Sequence, residues 1–306
     1  MLGLPFLTSV TTATGFGHCG RLARFASNSK ASCGELFLRI PPQKCRHGRI
    51  LYSSSTGSTR NPLAKIVLDP QEQIFFDMLK KVTEDGRRHG TEGTTLRVAG
   101  GWVRDKLLGI EVKNDIDITV NNMSGKEFVE QLNRWLVKEG KQALNFGVIK
   151  ENPEKSKHLE TVAINIGPFS VDFCNLRTEN YTESSRIPSI ATGTPREDAA
   201  RRDLTINSLY FNINTGFVED YTGYGMNDLK LGLIRTPLPS LITLRDDPLR
   251  ALRAIRFACR FQFKIADELL NAFVDNEVLK SLNIKVSRER IRIELEVSLN
   301  FVFMSE

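Results

Sequence analysis

Asp115 and Asp117 stand one isoleucine apart in the run NDIDITV, and that spacing is the first chemical signal in the chain. Residues two apart on a strand point to one face, so the two carboxylates would lie side by side while Ile116 and Ile118 turn to the other face. Neighbouring carboxylates without a basic partner repel unless a cation lies between them, and their hard oxygens suit Mg2+. An ion held this way lowers the pKa of an attacking hydroxyl and neutralises a triphosphate during in-line displacement. Taken alone, such a pair is also a common surface feature.

Earlier in the chain, Gly100-Gly101-Trp102-Val103-Arg104-Asp105 puts backbone free of side chains at the start of a helix. Unpaired N–H groups there attract anions, and Arg104 can add a charge-assisted bond to phosphate. A tight structural turn is the alternative reading of the two glycines. The succession of Gly-Gly, helix, strand and acid pair is more specific than either part, and it describes nucleotidyl transfer.

The elements that must position these residues are readable around them. Asp69-Pro70 is an N-cap followed by a first helical residue, and Ile74, Phe75, Met78, Leu79 and Val82 recur at helical spacing. Leu96 to Ala99 reads as a strand, Trp102 to Leu108 as a helix closed by Gly109, and Asp115 to Val120 as a strand. Ser124 with Glu127 is a capping box opening a helix through Phe128, Leu132 and Leu136, and alternating runs follow at 160–166 and 169–176. A second capping box, Thr194 with Glu197, precedes a mainly helical region broken by a hairpin around Asn214-Thr215-Gly216. Asp247-Pro248 opens a helix to about Phe263. Ser287 caps a last one, with Val286 and Ile291 placed as a hydrophobic staple.

LRVAGGWVRDKLLG followed by NDIDITV resembles the head domain of class II tRNA nucleotidyltransferases, the CCA-adding enzymes, and of the related bacterial-type poly(A) polymerases, in the DNA polymerase β superfamily. VDFCNLR, GTPREDAARRDLTINSLYFN, GFVEDYTGYGMNDLKLGLIRTPL, DDPLRALRAIRFACRF and SRERIRIELE continue the resemblance in order, over about residues 62 to 298. It implies an α+β fold: a polymerase β-like head of mixed sheet flanked by helices over 62–236, then an all-α neck over 237–306. Relatives of this kind continue into body and tail domains that hold the tRNA, so the neck is expected to be truncated.

Carried over residue by residue, the resemblance makes Asp115 and Asp117 the metal ligands and Asp172 a supporting third carboxylate. It places Arg201, Arg202 and Asp203 on the nucleotide sugar and phosphates, where the residues alone would read as a solvated helix end. Asp247 and Arg250 become the pair that reads the incoming base. A carboxylate accepts from the exocyclic amine of cytosine or adenine while a guanidinium donates to ring acceptors. Read without the resemblance, Asp247 is a helix cap joined to Arg250 by an ion pair on one helix face. Arg253 follows on that helix, toward the nucleotide or toward acids of the head. Glu289, Arg290 and Glu294 resemble a last block that braces the base-reading helix.

The implied activity is CCA addition to tRNA 3′ ends from CTP and ATP with Mg2+. The alternatives are a poly(A) polymerase of the same superfamily and a truncated, non-catalytic isoform that binds nucleotide or a partner. Oligomeric state leaves no signal in the sequence.

Charge does not carry this reading. Of the 306 residues, the first 60 hold eight Lys/Arg and one acid, or +7, with eight serines and six threonines, while the rest hold 34 basic and 35 acidic residues, or −1. An Arg- and Ser-rich, acid-poor start is the composition of an organellar transit peptide, so residues 1–60 are expected to be disordered and to direct the chain to a mitochondrion or plastid, with cytosol and nucleus left open. No run of about 18 uninterrupted apolar residues exists, which excludes an ordinary membrane span and a membrane partner. Cys19, Cys33 and Cys45 fall in the leader, and Cys174 and Cys259 are expected as buried, reduced packing residues. The spacing of cysteines and of His18, His47, His89 and His158 suits neither structural zinc nor a disulfide framework.

Overall fold

Asp69 opens the first helix as its type and position require. Its Oδ1 accepts from Gln71 N and Glu72 N, and Glu72 Oε2 accepts in return from Asp69 N at 2.9 Å. The computed structural model describes residues 66–88, 90, 93–149, 161–182 and 185–303. The expected transit peptide, three of the cysteines and all four histidines lie outside these residues.

Among the described residues, helix α1 (Pro70–Arg88) leads to β1 (Leu96–Ala99), α2 (Gly101–Leu107), β2 (Asp115–Val120) and α3 (Gly125–Lys138). Strands β3 (Phe146–Ile149), β4 (Thr161–Ile166), β5 (Phe169–Asn175), β6 (Arg177–Thr182) and β7 (Ser185–Thr192) follow. Next come α4 (Pro195–Ala200), a 3-10 turn at Thr205–Asn207, β8 (Leu209–Asn212) and β9 (Phe217–Asp220). Seven strands form one mixed sheet in the order β3-β4-β5-β2-β1-β8-β9, and β2 with β5 is its one parallel pairing. Helices flank the sheet, as the α+β expectation required.

One sheet face is dry. Ile116, Ile118, Val171 and Phe173 are buried against α1 and α3, with the Phe128 and Phe173 rings 5.1 Å apart. Gly125 starts α3 so close to β5 that a Cβ there would collide with the carbonyl oxygen of Phe173. Phe75, Phe76, Trp102, Phe169 and Phe211 extend this core as a chain of ring contacts. Ile74, expected within the apolar stripe of α1, is instead 72% exposed.

The rest is helical apart from one short strand pair. Helix α5 (Gly225–Leu231), β10 (Leu233–Ile234), α6 (Ser240–Asp246), α7 (Leu249–Phe261), β11 (Lys264–Ile265), α8 (Asp267–Phe273), α9 (Asn276–Lys285) and α10 (Arg288–Phe303) complete the order. Helix α7 stops two residues before the expected end because Gln262 takes a left-handed conformation, φ 54°, that returns Phe263 N to the carbonyl of Ala258. Ser287 caps α10 with its side chain, whose Oγ accepts from Arg290 N at 3.4 Å. No helix among the described residues is long and apolar enough to cross a membrane. Cys174 and Cys259 are free thiols, half-buried rather than buried. Loss of hydration pushes the Cys174 thiol up to about 11, so it stays protonated at neutral pH.

Candidate active site

On β2 the alternation holds: Ile116 and Ile118 are buried, and Asp115 and Asp117 reach solvent on the opposite face. Parallel pairing with β5 sets Asp117 opposite Asp172, so the third carboxylate shares that face. Asp117 is accessible yet ringed by protein. The lost hydration, then repulsion from Asp172 and Asp115, raise its carboxyl above the ordinary range, while Arg202 pulls it down.

These donors fit a divalent ion. Among the described residues no group of three or more His, Cys, Asp or Glu is gathered into a ready ligand shell. Mg2+ commonly takes one or two carboxylates and completes its shell with water and substrate phosphates, and the mutual repulsion at Asp117 is the strain such an ion relieves.

The glycine turn runs beside Arg202. Gly100 adopts φ 72°, its N–H donates to Leu209 O at 3.1 Å, and a Cβ there would sit 3.1 Å from Arg202 Nη1. Helix α2 behind it is only seven residues long. Arg104 is not poised as the sequence suggested. It is buried, its Nε donates to Asp105 Oδ1 at 2.7 Å, and its Nη1 donates to Asn207 Oδ1. Its guanidinium lies 5.0 and 4.9 Å from the ring centres of Phe257 and Phe261 on α7. A phosphate would have to compete with this packing.

The Arg201-Arg202-Asp203 block follows α4, whose capping box from Thr194 to Glu197 forms as expected. It is no solvated helix end. Arg201 Nε and Nη2 bond Asp198 Oδ1 at 2.9 and 2.5 Å, and Nη1 reaches Glu179 Oε1 at 2.9 Å. Arg202 Nη2 reaches Asp198 Oδ2 at 3.0 Å, and its guanidinium sits 5.1 Å from the Tyr210 ring centre. Asp203 accepts from Leu204 N and Asn207 Nδ2 and pairs with Arg253 Nη2 at 2.7 Å. Burial alone would raise its carboxyl, but the Arg253 guanidinium and the Asn207 amide hold it down to about 2.

Asp247 and Arg250 do not share a helix. Asp247 is the extended residue between α6 and α7, φ −136° and ψ 97°, because the ring of Pro248 disfavours helical backbone in the residue before it. Its Oδ1 accepts from Leu249 N at 3.1 Å, and its carbonyl accepts from Arg250 N. Arg250, buried in the first turn of α7, donates from Nη2 to Arg201 O at 2.7 Å and lies 3.8 Å from Glu179 Oε2. Helix α7 is thus tied to the arginine block. Arg256 Nε meets Glu294 Oε2 of α10 at 2.6 Å.

Sequence reasoning missed Asp198, Glu179 and Tyr210. Asp198 had a signal, since it precedes Arg201 and Arg202 by three and four residues, the spacing of helical ion pairs. Tyr210, in a fully buried strand, had none.

Residues 96–235 match the family described as the Poly A polymerase head domain. The mitochondrial CCA tRNA nucleotidyltransferase of Saccharomyces cerevisiae is 48% identical over 239 residues, which is 76% of this chain and 44% of that protein. A CCA-adding enzyme solved in complex with ATP superposes with a TM-score of 0.59 at 30% identity, over 76% of this chain and 48% of that one. The same enzyme class in complex with CTP gives a TM-score of 0.56 at 30% identity, over the same shares. The chain spans less than half the length of each of these proteins. Through its head domain, it belongs to the family of poly A polymerases and CCA tRNA nucleotidyltransferases.

Proposed function

We propose that this chain carries the catalytic part of a nucleotidyltransferase that adds C, C and A to the 3′ end of tRNA from CTP and ATP. The observation that supports it most is the register of Asp117 with Asp172 beside Asp115, three carboxylates on one open sheet face. Asp115 and Asp117 would hold Mg2+, which when bound supplies charge stabilisation to the triphosphate and acidifies the attacking hydroxyl. Asp172, from the neighbouring strand, would support the same ion. The backbone at Gly100 and Gly101 admits phosphates, and Arg201 and Arg202 balance their charge. Asp203, fixed by Arg253, faces the sugar, and Asp247 and Arg250 select the base. The tRNA 3′ hydroxyl attacks the α-phosphorus in line, and pyrophosphate leaves.

The yeast relative is named as mitochondrial, and the acid-poor first 60 residues have the composition of an import signal. We infer from these two observations that the protein works in the mitochondrion.

The test is extension of a tRNA lacking its CCA end by the purified chain. Three added residues, needing both CTP and ATP, support this reading. The matched family's description favours one rival, a poly(A) polymerase, and an open-ended tail made from ATP alone would establish it. A chain that binds nucleotide without extending any primer would be the non-catalytic alternative.

A further inference from the structure

We propose that Asp198 is a positioning residue for nucleotide binding, whose buried carboxylate acts through Arg202, fixing that guanidinium beside the glycine turn and the acidic face. The proposal rests on the nucleotidyltransferase reading above, and it concerns a residue that would touch neither substrate nor metal.

Asp198 is completely buried, and its two oxygens divide their work. Oδ1 accepts from Arg201 Nε and Nη2 and from Arg177 N at 3.2 Å. Oδ2 accepts from Arg202 Nε at 3.3 Å, from Arg202 Nη2 at 3.0 Å and from the Tyr210 hydroxyl. Two guanidinium groups therefore approach one carboxylate from two sides, each held by two nitrogens, which fixes the plane of each group as well as its position. Tyr210 completes the clamp on Arg202, with its ring against the guanidinium and its hydroxyl on the same carboxylate.

What this clamp controls lies outside it. Arg202 Nη1 stands beside the Gly100 backbone, and its positive charge attracts the Asp117 carboxylate. Released from Asp198, Arg202 would keep Asn207 O and the Tyr210 hydroxyl as partners and could swing toward the acids of β2. That movement would remove positive charge from the phosphate side and place it where the metal belongs. Asp198 thus serves the site by holding Arg202 off the carboxylates as much as by holding it near the turn. Its carboxyl is kept far below the ordinary range by Arg202 and Arg201 despite its burial, so the clamp is charged at every pH at which the enzyme would work.

The experiment uses the full 306-residue chain with Asp198→Asn, Arg202→Ala and the double substitution. CTP affinity is measured by calorimetry in MgCl2, and thermal melting is followed in parallel. Asp198→Asn should fold and bind CTP at least tenfold more weakly, and the double variant should bind no more weakly than Arg202→Ala alone. Such non-additivity marks action through Arg202, whereas a general loss of structure would add to the Arg202→Ala defect. Wild-type affinity in folded Asp198→Asn, or additive losses, would overturn the proposal. If Asp198→Asn fails to fold, Tyr210→Phe removes one donor from the same carboxylate. It should weaken CTP several-fold without adding to Arg202→Ala, and an unchanged affinity would again overturn the proposal. A wild-type chain that binds neither CTP nor ATP would instead overturn the nucleotidyltransferase reading itself.

Discussion

Asp117 and Asp172 are register partners across the one parallel strand pairing in the seven-stranded sheet, so two carboxylates from distant stretches of chain meet on one face. Asp115 stands two residues away on the same face. None of the three belongs to the buried core, and Asp117 gives up hydration to be there. Their mutual repulsion disfavours the charged form of Asp117, a cost that a bound cation would relieve.

Asp115→Ala and Asp117→Ala should therefore each reduce nucleotide incorporation by at least about 100-fold, or roughly 2.7 kcal/mol in the barrier, without lowering the melting temperature. Asp117→Ala should melt at or slightly above the wild-type temperature, since one of three repelling charges is gone. Near-normal incorporation by either variant would take the acids out of the chemistry.

Asp247→Ala separates base reading from helix capping. If Asp247 accepts from the exocyclic amine, UTP and GTP should begin to compete with CTP and ATP, with fidelity falling more than stability. If its only work is the bond to Leu249 N, the variant should lose about 1 kcal/mol of stability and keep wild-type nucleotide preference. Competition assays with all four nucleotides decide between them.

Stability should fall steeply in acid, and the direction follows from Asp203. Its carboxyl is held down to about 2 in the fold against an unfolded value of 3.8, so its contribution is complete above about pH 4 and disappears as pH falls through 2. The difference is on the order of 2 kcal/mol. Asp198 acts in the same sense. Melting followed by circular dichroism from pH 5 to 2 should show the loss, and Arg253→Met should flatten it; an equally steep loss in that variant would contradict the assignment.

Residues 1–60 fused to a fluorescent reporter should carry it into mitochondria, and the remaining 246 residues, at −1, should stay in the cytosol when expressed alone. A cytosolic fusion would refute the targeting role of this segment.

Elements whose signals are local were legible in the sequence. The capping boxes at Ser124 and Thr194 and the acid-isoleucine alternation of β2 follow from residue type and spacing alone, and all three are present. The hairpin of β6 and β7 was not read, because Thr, Ser, Glu and Asn dominate its strands and give no apolar face to alternate. Asp198 and Arg104 escaped for another reason. Charged residues are expected at the surface, and only tertiary packing tells that one is enclosed by two guanidinium groups and that the other is buried against two phenyl rings.

Arg104 packed against Phe257 and Phe261 has a consequence for how the molecule comes apart. The arginine belongs to the sheet-bearing half and the rings to α7, and β10 pairs with β11 across the same divide. A chain cut at residue 236 would leave a guanidinium stripped of its aromatic cover, Asp203 without Arg253 and Asp105 without Arg260. Heated intact, the two halves should lose structure together in a single calorimetric peak, and a protease should find no early nick between Leu233 and Leu249.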